Sequence, residues 1–280
     1  MLTHLDHLIV AVDDLEAAAE NYQKLFGMTP VWSGEHKELG TSNALFAFKN
    51  TYFELLSATG EGLGADLVNH YLNQSGEGLI GIVFATDDIK KAKSSLEEQG
   101  FNMPDISSGE GINSSDQQVR RWKNLFLPPE LSRGLFSFII EHTEGALPSP
   151  MSYEPSSPHS LDHVVINTND ADSFIDIYKD AFGIRLALDK TIEHWKKRML
   201  FFRLSKTTIE VIEEQNDQET ADTLWGLAWN VASIEETHKR LLGEGVDITP
   251  IKKGIKDKTL VATINSHTHN VPTLLIEHLD

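Results

Sequence analysis

Residues 5–27 read LDHLIVAVDDLEAAAENYQKLFG, and residues 161–183 repeat this stretch without a gap as LDHVVINTNDADSFIDIYKDAFG. The same shift of 156 positions pairs His7 with His163. It also pairs Glu54 with Glu210, so each histidine precedes its glutamate by 47 positions. Because self-similarity over this length indicates a repeated structural unit, we expect the chain to contain two copies of one fold.

A second, weaker repeat divides each copy again. GLIGIVFATDDIKKAKSSLEEQG, from Gly78, aligns with TLWGLAWNVASIEETHKRLLGEG, from Thr223, through Gly81 and Gly226. This predicts four modules, which we name in chain order A (1–60), B (78–144), A′ (160–214) and B′ (222–280).

The modules are predicted to form two domains, 1–144 and 160–280, joined by a linker over 145–159. The run EGALPSPMSYEPSSPHS between B and A′ contains four of the ten prolines of the chain, a composition typical of linkers.

Each module is predicted to have the order βαβββ. HLIVAV favours a strand, and the following DDLEAAAENYQKLFG favours a helix, with Asp13 or Asp14 as its N-cap and Gly27 after its last turn. Because side chains alternate along a strand, His7 faces away from Leu8 and Val10, against which we expect the helix to pack. The expected fold class is α+β, with the eight strands of each domain forming an incomplete barrel and the helices outside.

Composition excludes several classes of protein. The 280 residues include 42 acidic and 24 basic side chains, a formal charge of −18, which disfavours nucleic acid and anionic membrane as partners. The absence of cysteine excludes disulfides, thiolate nucleophiles and Cys-ligated zinc. The N-terminus lacks a signal-peptide pattern, so we expect a cytoplasmic protein, monomeric or homodimeric, with a small-molecule ligand.

The doubled LDH stretch, followed by TYFELL and later by FSFIIEH, resembles the vicinal oxygen chelate superfamily. That superfamily includes glyoxalase I, bleomycin-resistance proteins, methylmalonyl-CoA epimerase and extradiol dioxygenases. GEHKELGTSNALFAFKNTYFELL, residues 34–56, is most similar to its glyoxalase-like domain group. The resemblance covers nearly the whole chain outside the linker and implies the fold more strongly than any one reaction.

The resemblance also implies a divalent metal site, because inward residues of the first and fourth strands of each module hold the ion in this superfamily. Two modules keep such residues: His7 and Glu54 in A, and His163 and Glu210 in A′. The corresponding positions of B and B′ are Gly81, Phe138, Gly226 and Leu274. Each domain therefore supplies two of four ligand positions, for Fe, Mn, Ni or Zn, and a protein without metal is the alternative.

Further ligands and contacts are predicted from the same strands. His36, His194 and the pair His267 and His269 are candidate third ligands, although the last pair precedes NVP, where a turn is the alternative. The residues expected to contact substrate are His36, Asn43, Trp122, Arg203 and Trp229.

Two classes of function remain. The first is a glyoxalase-like enzyme acting on a small carbonyl or hydroxy-acid metabolite by proton abstraction, of lyase or isomerase type, with His7, Glu54, His163 and Glu210 as catalytic residues. The second is a binding protein of the bleomycin-resistance type, without catalysis. Extradiol dioxygenase chemistry is disfavoured, because its metal needs a His from the third module and a His and a Glu from the fourth, and only His163 is present.

Overall fold

The computed structural model describes residues 1–150, 152–193, 195–214 and 222–279. It confirms the α+β fold class, with two sheets of eight strands and the helices outside them. Among the described residues, no helix has both the length and the apolar character needed to cross a bilayer.

The first sheet closes into a barrel, where the sequence predicted an incomplete one. The strand order around it is β1-β4-β3-β2-β6-β7-β8-β5. Closure depends on the pairing of β2 with β6, at Gly34 with Asn113 and Glu35 with Ile112. The strands are β1 (Leu5–Ala11), β2 (Trp32–His36), β3 (Thr41–Ala47), β4 (Tyr52–Ala58), β5 (Gly78–Ala85), β6 (Ser107–Asn113), β7 (Val119–Phe126) and β8 (Phe136–Glu144).

The second sheet stays open, with β10 and β14 as its edges in the order β10-β11-β12-β9-β13-β16-β15-β14. Its central strands repeat the pairing of the barrel: β9 lies parallel to β12 and antiparallel to β13, as β1 lies between β4 and β5. The strands are β9 (Pro158–Thr168), β10 (Arg185–Ile192), β11 (Lys197–Leu204), β12 (Thr207–Glu213), β13 (Thr223–Val231), β14 (Lys252–Lys253), β15 (Thr259–Ile264) and β16 (Thr273–His278).

One capped helix follows the first strand of every module. The N-cap side chains of Asp14, Asp88, Asp170 and Ser233 each accept a hydrogen bond from the backbone N–H three residues later. The helices are α1 (Leu15–Phe26), α2 (Leu63–Ser75), α3 (Ile89–Glu98), α4 (Pro129–Ser132), α5 (Ala171–Ile175), which continues as a π-helical turn over Asp176–Ala181, and α6 (Ile234–Gly243).

The outer faces of the two sheets share one hydrophobic core. Leu8 and Val10 of the barrel belong to the same buried cluster as Val164 and Ile166 of the second sheet, with the helices packed among them. Trp229 of β13 lies 4.2 Å from the ring of Phe48, measured between centroids. The inner faces, which carry His7 and His163, therefore point away from this shared core.

Candidate functional site

The barrel interior holds the first His/Glu pair. His7 and Tyr52 occupy paired positions on β1 and β4, and Glu54 lies one pleat further along β4. His7 Nε2 lies 3.3 Å from Glu54 Oε2, and the two side chains are only 3% and 9% exposed. Tyr52 stacks on the imidazole at 4.4 Å, and Asn43 Nδ2 donates to Glu54 Oε1 at 2.7 Å. The pair is enclosed by the barrel and its neighbours.

The second His/Glu pair lies on the inner face of the open sheet. His163 Nε2 and Glu210 Oε2 are 3.7 Å apart, and their side chains are 17% and 16% exposed. Met199 takes the place that Asn43 has in the barrel, because both precede their glutamate by 11 positions. Within the described part of the chain, no side chain or backbone group donates a hydrogen bond to Glu210, so its oxygens face the open inner surface.

Burial and neighbouring charges shift the pKa values of this second pair. Burial raises the pKa of the Glu210 carboxyl, and the charge of Asp162 adds to that effect while His163 opposes it. Burial alone would lower the pKa of His163, but its hydrogen bond to Asp162 and the charges of Glu210 and Asp162 outweigh that effect and raise the pKa. The pair therefore combines a carboxyl and an imidazole whose proton affinities both exceed their ordinary values.

Neighbouring inner-face side chains connect this pair to a positively charged residue, Arg203. Arg203 on β11 pairs with Thr208 on β12, and Thr208 pairs with His163 on β9, so all three share the inner face. Strands two places apart in a sheet are separated by about 10 Å. The Arg203 guanidinium is exposed and donates to Thr208 Oγ1 at 2.9 Å. An anionic group bound at Arg203 would place the rest of a small molecule beside His163 and Glu210.

The same alternation turns another arginine away from the site. Arg198 occupies the outer face of β11, where it forms ion pairs with Asp189 and Asp172 at 2.7 and 2.8 Å. Lys197 lies on the inner face of β11 and forms an ion pair with Glu214.

The number and spacing of the ligand atoms at each pair can be compared with those of a divalent metal site. Two ligands bonded at about 2.1 Å and separated by about 90–110° lie about 3.0–3.4 Å apart, which matches the 3.3 Å between His7 and Glu54. Within the described ranges, however, no group of three or more His, Asp or Glu side chains converges on one point. The protein groups present supply two ligands at each pair and do not complete a metal site.

Three other predicted site residues lie inside the barrel. Asn43 contacts Glu54, and its Oδ1 is buried without a hydrogen-bond partner. His36 accepts or donates a hydrogen bond with Thr41 at 3.0 Å, and its ring meets Trp122 edge-on at 5.9 Å. Burial lowers the pKa of His36. The barrel thus brings these residues to the face that carries His7.

The structure does not bring the remaining predicted residues to either pair. Trp229 lies on the outer face of β13, 1% exposed, in the core shared by the sheets. The 267–269 segment forms a turn, in which His269 contacts Glu77 and Asn21 rather than a common point with His267. His194 lies outside the described residues.

Sequence reasoning missed an Asp that joins two histidines at each pair. Asp6 bonds His7 Nδ1 at 2.7 Å and His142 Nε2 at 3.0 Å. In the second sheet, Asp162 bonds His163 and His278 at 2.8 and 2.7 Å. The signal was present in the sequence, since both domains begin with LDH and end with IEH.

The glutamates of the two IEH motifs, Glu141 and Glu277, bind the starts of helices instead. Glu141 Oε2 accepts from the backbone N–H of Ile89, and Glu277 Oε2 accepts from that of Ile234, so each anchors the first turn of a helix. Both therefore face away from the pairs.

Comparison of the sequence with protein families gives two matches. The profile described as "Glyoxalase-like domain" matches residues 5–182. The profile described as "Glyoxalase/Bleomycin resistance protein/Dioxygenase superfamily" matches residues 160–263. Among curated proteins, an ethylmalonyl-CoA/methylmalonyl-CoA epimerase from Cereibacter sphaeroides is 30% identical over 110 residues, which are 39% of this chain and 79% of the relative.

Solved structures resemble the whole chain at low sequence identity. A mutant of 4-hydroxymandelate synthase from Streptomyces coelicolor has a TM-score of 0.68 and 15% identity, covering 99% of this chain and 93% of its own. The Mn(II)-bound glyoxalase from Novosphingobium aromaticivorans has a TM-score of 0.65 and 16% identity, covering 100% of this chain and 83% of its own. These similarities show a shared fold.

Proposed function

Because the chain belongs to the glyoxalase-like domain family, we propose that it is an enzyme that removes a proton beside the carbonyl group of a small carboxylate-bearing metabolite. Membership of the family confirms the resemblance stated from the sequence, and it covers enzymes of several chemistries. The specific reaction proposed here is supported by the inner face of the second sheet. The main support for this reaction is that Arg203, Thr208 and His163 lie side by side on three neighbouring strands, with Glu210 next to His163.

The two residues of the pair divide the chemistry between them. Asp162 accepts a hydrogen bond from His163 Nδ1, which leaves Nε2 as the free, basic nitrogen towards Glu210. A C–H bond between the carbonyl and the carboxylate of a substrate would point at the pair from the open inner face, within reach of both Nε2 and the Glu210 carboxylate. One of these bases takes the proton and leaves the electron pair of the C–H bond on the carbonyl oxygen as an enolate. Protonation of the opposite face of the carbon then inverts that centre, whereas protonation of the same face only exchanges its hydrogen.

Accessibility favours the second pair over the first. The 3.7 Å gap between His163 and Glu210 opens on a partly exposed surface, whereas Glu54 is held by Asn43 inside a closed barrel. A substrate must reach both bases to react, so we assign the proton transfer to the second sheet.

A divalent ion at the second pair would take His163 Nε2 and Glu210 as ligands. When bound, it would supply polarisation of the substrate carbonyl, and the substrate or water would have to provide the other ligands. The proton transfer proposed above uses only groups of this chain.

The test is solvent deuterium exchange into methylmalonyl-CoA, the substrate named for the curated relative, which has a carboxylate and a thioester carbonyl on one carbon. We expect exchange at that carbon above the buffer rate, and a loss of about 100-fold or more in His163→Gln. The matched control is His7→Gln, which alters the equivalent residue of the barrel and should retain exchange if it folds.

Arg203→Gln should raise KM more than it lowers kcat, because the guanidinium binds an unreacting carboxylate. Arg198→Gln, on the outer face of the same strand, should leave both unchanged.

Exchange that persists in His163→Gln would overturn the assignment to the second sheet. Ligand binding without exchange would favour the alternative, a binding protein of the bleomycin-resistance type. A stoichiometric metal lost in His163→Ala, measured by elemental analysis, would add the ion to the proposal.

A further inference from the structure

A pocket of about 400 Å³ opens at one end of the barrel, and two of its lining residues, Asp6 and Tyr52, contact His7. It lies where β1, β3, β4, β7 and β8 begin or end, and residues 145–149 cover one side of it. Its volume lies within the range of small-molecule sites. The pocket is independent of the second sheet, and the inference drawn from it does not rest on the proposed function.

Arg120 lines this pocket with an incompletely satisfied guanidinium. The residue is 6% exposed, and its Nε is buried without a hydrogen-bond partner. The guanidinium lies 5.5 Å from the centroids of the Trp32 and Tyr52 rings. Across the described ranges, no carboxylate comes within 4.0 Å of it. A buried cation normally has an anionic partner, because desolvation is costly without one.

The rest of the lining complements an organic anion. Lys49 adds a second positive charge, and no described carboxylate forms an ion pair with it. The one carboxylate in the lining, Asp6, already accepts hydrogen bonds from His7 and His142. Phe48 and Leu147 provide apolar walls. The pocket therefore combines apolar surface with two cations that have no carboxylate partner among the described residues, on a chain whose net charge is −18.

We propose that this pocket binds a small monocarboxylate with an apolar tail, and that Arg120 binds its carboxylate. A planar carboxylate matches the fork of a guanidinium, and it would give the buried charge of Arg120 the anionic partner that the described protein groups do not supply. Phosphate has no apolar portion to contact Phe48 and Leu147, so a short aliphatic acid fits the lining better.

The same end of the second sheet contains an arginine from a different strand. Ala47, which lines the pocket, pairs with Tyr52 in the barrel as Arg203 pairs with Thr208 in the second sheet. Both domains thus place an arginine at this end of the sheet. Because the two arginines come from non-equivalent strands, the repeat alone does not account for their common placement.

The experiment titrates ¹⁵N-labelled protein with butyrate and follows the arginine Nε–H signals by NMR. The Arg120 signal is identified by its loss in Arg120→Gln. We expect butyrate at millimolar concentration to shift that signal, while butanol and inorganic phosphate do not. Saturation-transfer NMR of the butyrate itself should show affinity at least about 10-fold weaker in Arg120→Gln.

Two further variants keep the test decisive. Arg121→Gln alters the neighbouring, exposed arginine, which is paired with Glu110 and Glu144, and should leave butyrate affinity unchanged. Ala146→Trp fills the exposed rim of the pocket and should weaken binding even if Arg120→Gln fails to fold. Binding that persists in both Arg120→Gln and Ala146→Trp would overturn the proposal. So would phosphate that binds as well as butyrate, or butyrate that does not bind.

Discussion

Asp6 and Asp162 each fix the orientation of two imidazoles, and their carboxylates differ in burial. Asp6 is almost fully buried, whereas the side chain of Asp162 is 23% exposed. Burial alone would raise the pKa of Asp6, but hydrogen bonds from His142 and His7 outweigh it and hold the pKa well below the ordinary value of 3.8. A carboxylate held in this way stabilises the fold as long as it remains charged.

We expect Asp6→Ala to cost about 3 kcal/mol of unfolding free energy near neutral pH, because it leaves the buried His7 and the partly exposed His142 without their acceptor. Since the folded-state pKa is depressed, this stabilisation is fully present above the unfolded-state pKa and is lost as the pH falls towards the folded-state pKa. The difference between wild type and variant should therefore shrink by about 1 kcal/mol between about pH 5 and pH 3 in urea titrations.

Asp162→Ala is the matched control for this prediction. Its carboxylate has the equivalent partners but greater exposure, so water can replace part of the lost hydrogen bonding, and the cost should be smaller. Equal costs for the two variants, or a cost of Asp6→Ala that does not change with pH, would contradict the account.

At the scale of elements, each domain contributes donors to a helix end of the other. Arg240 of α6 donates to the carbonyl oxygens of Lys24 and Leu25 in the last turn of α1. Gln99, after α3, donates to Ala181 O at the end of the helical segment that begins with α5. These contacts satisfy carbonyl groups that a helix C-terminus leaves without partners. The helix ends of one domain are thus completed by residues of the other.

Gly27 and Gly183 end these two helical segments with left-handed backbones, at φ 63° and φ 73°. A Cβ on Gly27 would lie 2.5 Å from Ser157 Oγ and 3.1 Å from Arg240 Cζ, whereas one on Gly183 would meet no atom within 4 Å. Gly183→Ala should cost about 1–2 kcal/mol of unfolding free energy through backbone strain alone. Gly27→Ala should cost at least about 1 kcal/mol more, because the added methyl group displaces the contact between the domains.

Chemical denaturation of the two glycine variants measures this difference directly. Equal losses would mean that the packing of Ser157 and Arg240 against the end of α1 adapts to a methyl group without cost.

At the scale of the whole molecule, the shared core makes the stability of each domain depend on the other. Trp229 of the second sheet contacts the rings of Phe26, Phe48 and Phe53, all from the first domain. Separating the domains would expose these aromatic surfaces to water, at about 25 cal/mol per Å² of apolar area. The chain is therefore organised as two sheets around one core, rather than as two independently stable units.

We expect calorimetry to show a single cooperative unfolding transition of the full chain. Trp229→Ala should cost about 3–5 kcal/mol and lower that whole transition, because it removes a buried ring at the centre of the shared core. Trp225→Ala, four residues earlier on the same strand and 51% exposed, should change the transition little. Two separate transitions in the wild-type chain would contradict this view.

The sequence predicted the fold because the repeat is gapless over the first strand and helix of A and A′, and periodicity then assigned the faces. It did not predict closure of the first barrel, which depends on the distant pairing of Gly34 with Asn113. Gly34 allows that closure, because a Cβ there would lie 2.7 Å from the backbone oxygen of Ile112 on β6. Such a fit between strands depends on packing that no local pattern reports.

Part of the site followed from the same patterns. The 47-residue spacing identified His7 with Glu54, and alternation turned both inward, where they lie 3.3 Å apart. Trp229 was predicted as a ligand contact and lies in the shared core, because an aromatic residue suits either a ligand or a core. Asp6 and His142 escaped notice because they are 136 positions apart and meet only through the register of neighbouring strands.

The two edges of the open sheet bear on how the protein behaves in concentrated solution. Exposed edge strands offer unpaired backbone groups to other chains, and natural proteins guard them with short strands and charged side chains. The edge strand β14 has only two residues, Lys252 and Lys253, and the opposite edge, β10, carries Arg185, Asp189 and Lys190. The lysines of β14 thus act as gatekeepers against intermolecular β-sheet growth, which lets one copy of the repeat remain open for a ligand without becoming a seed for aggregation.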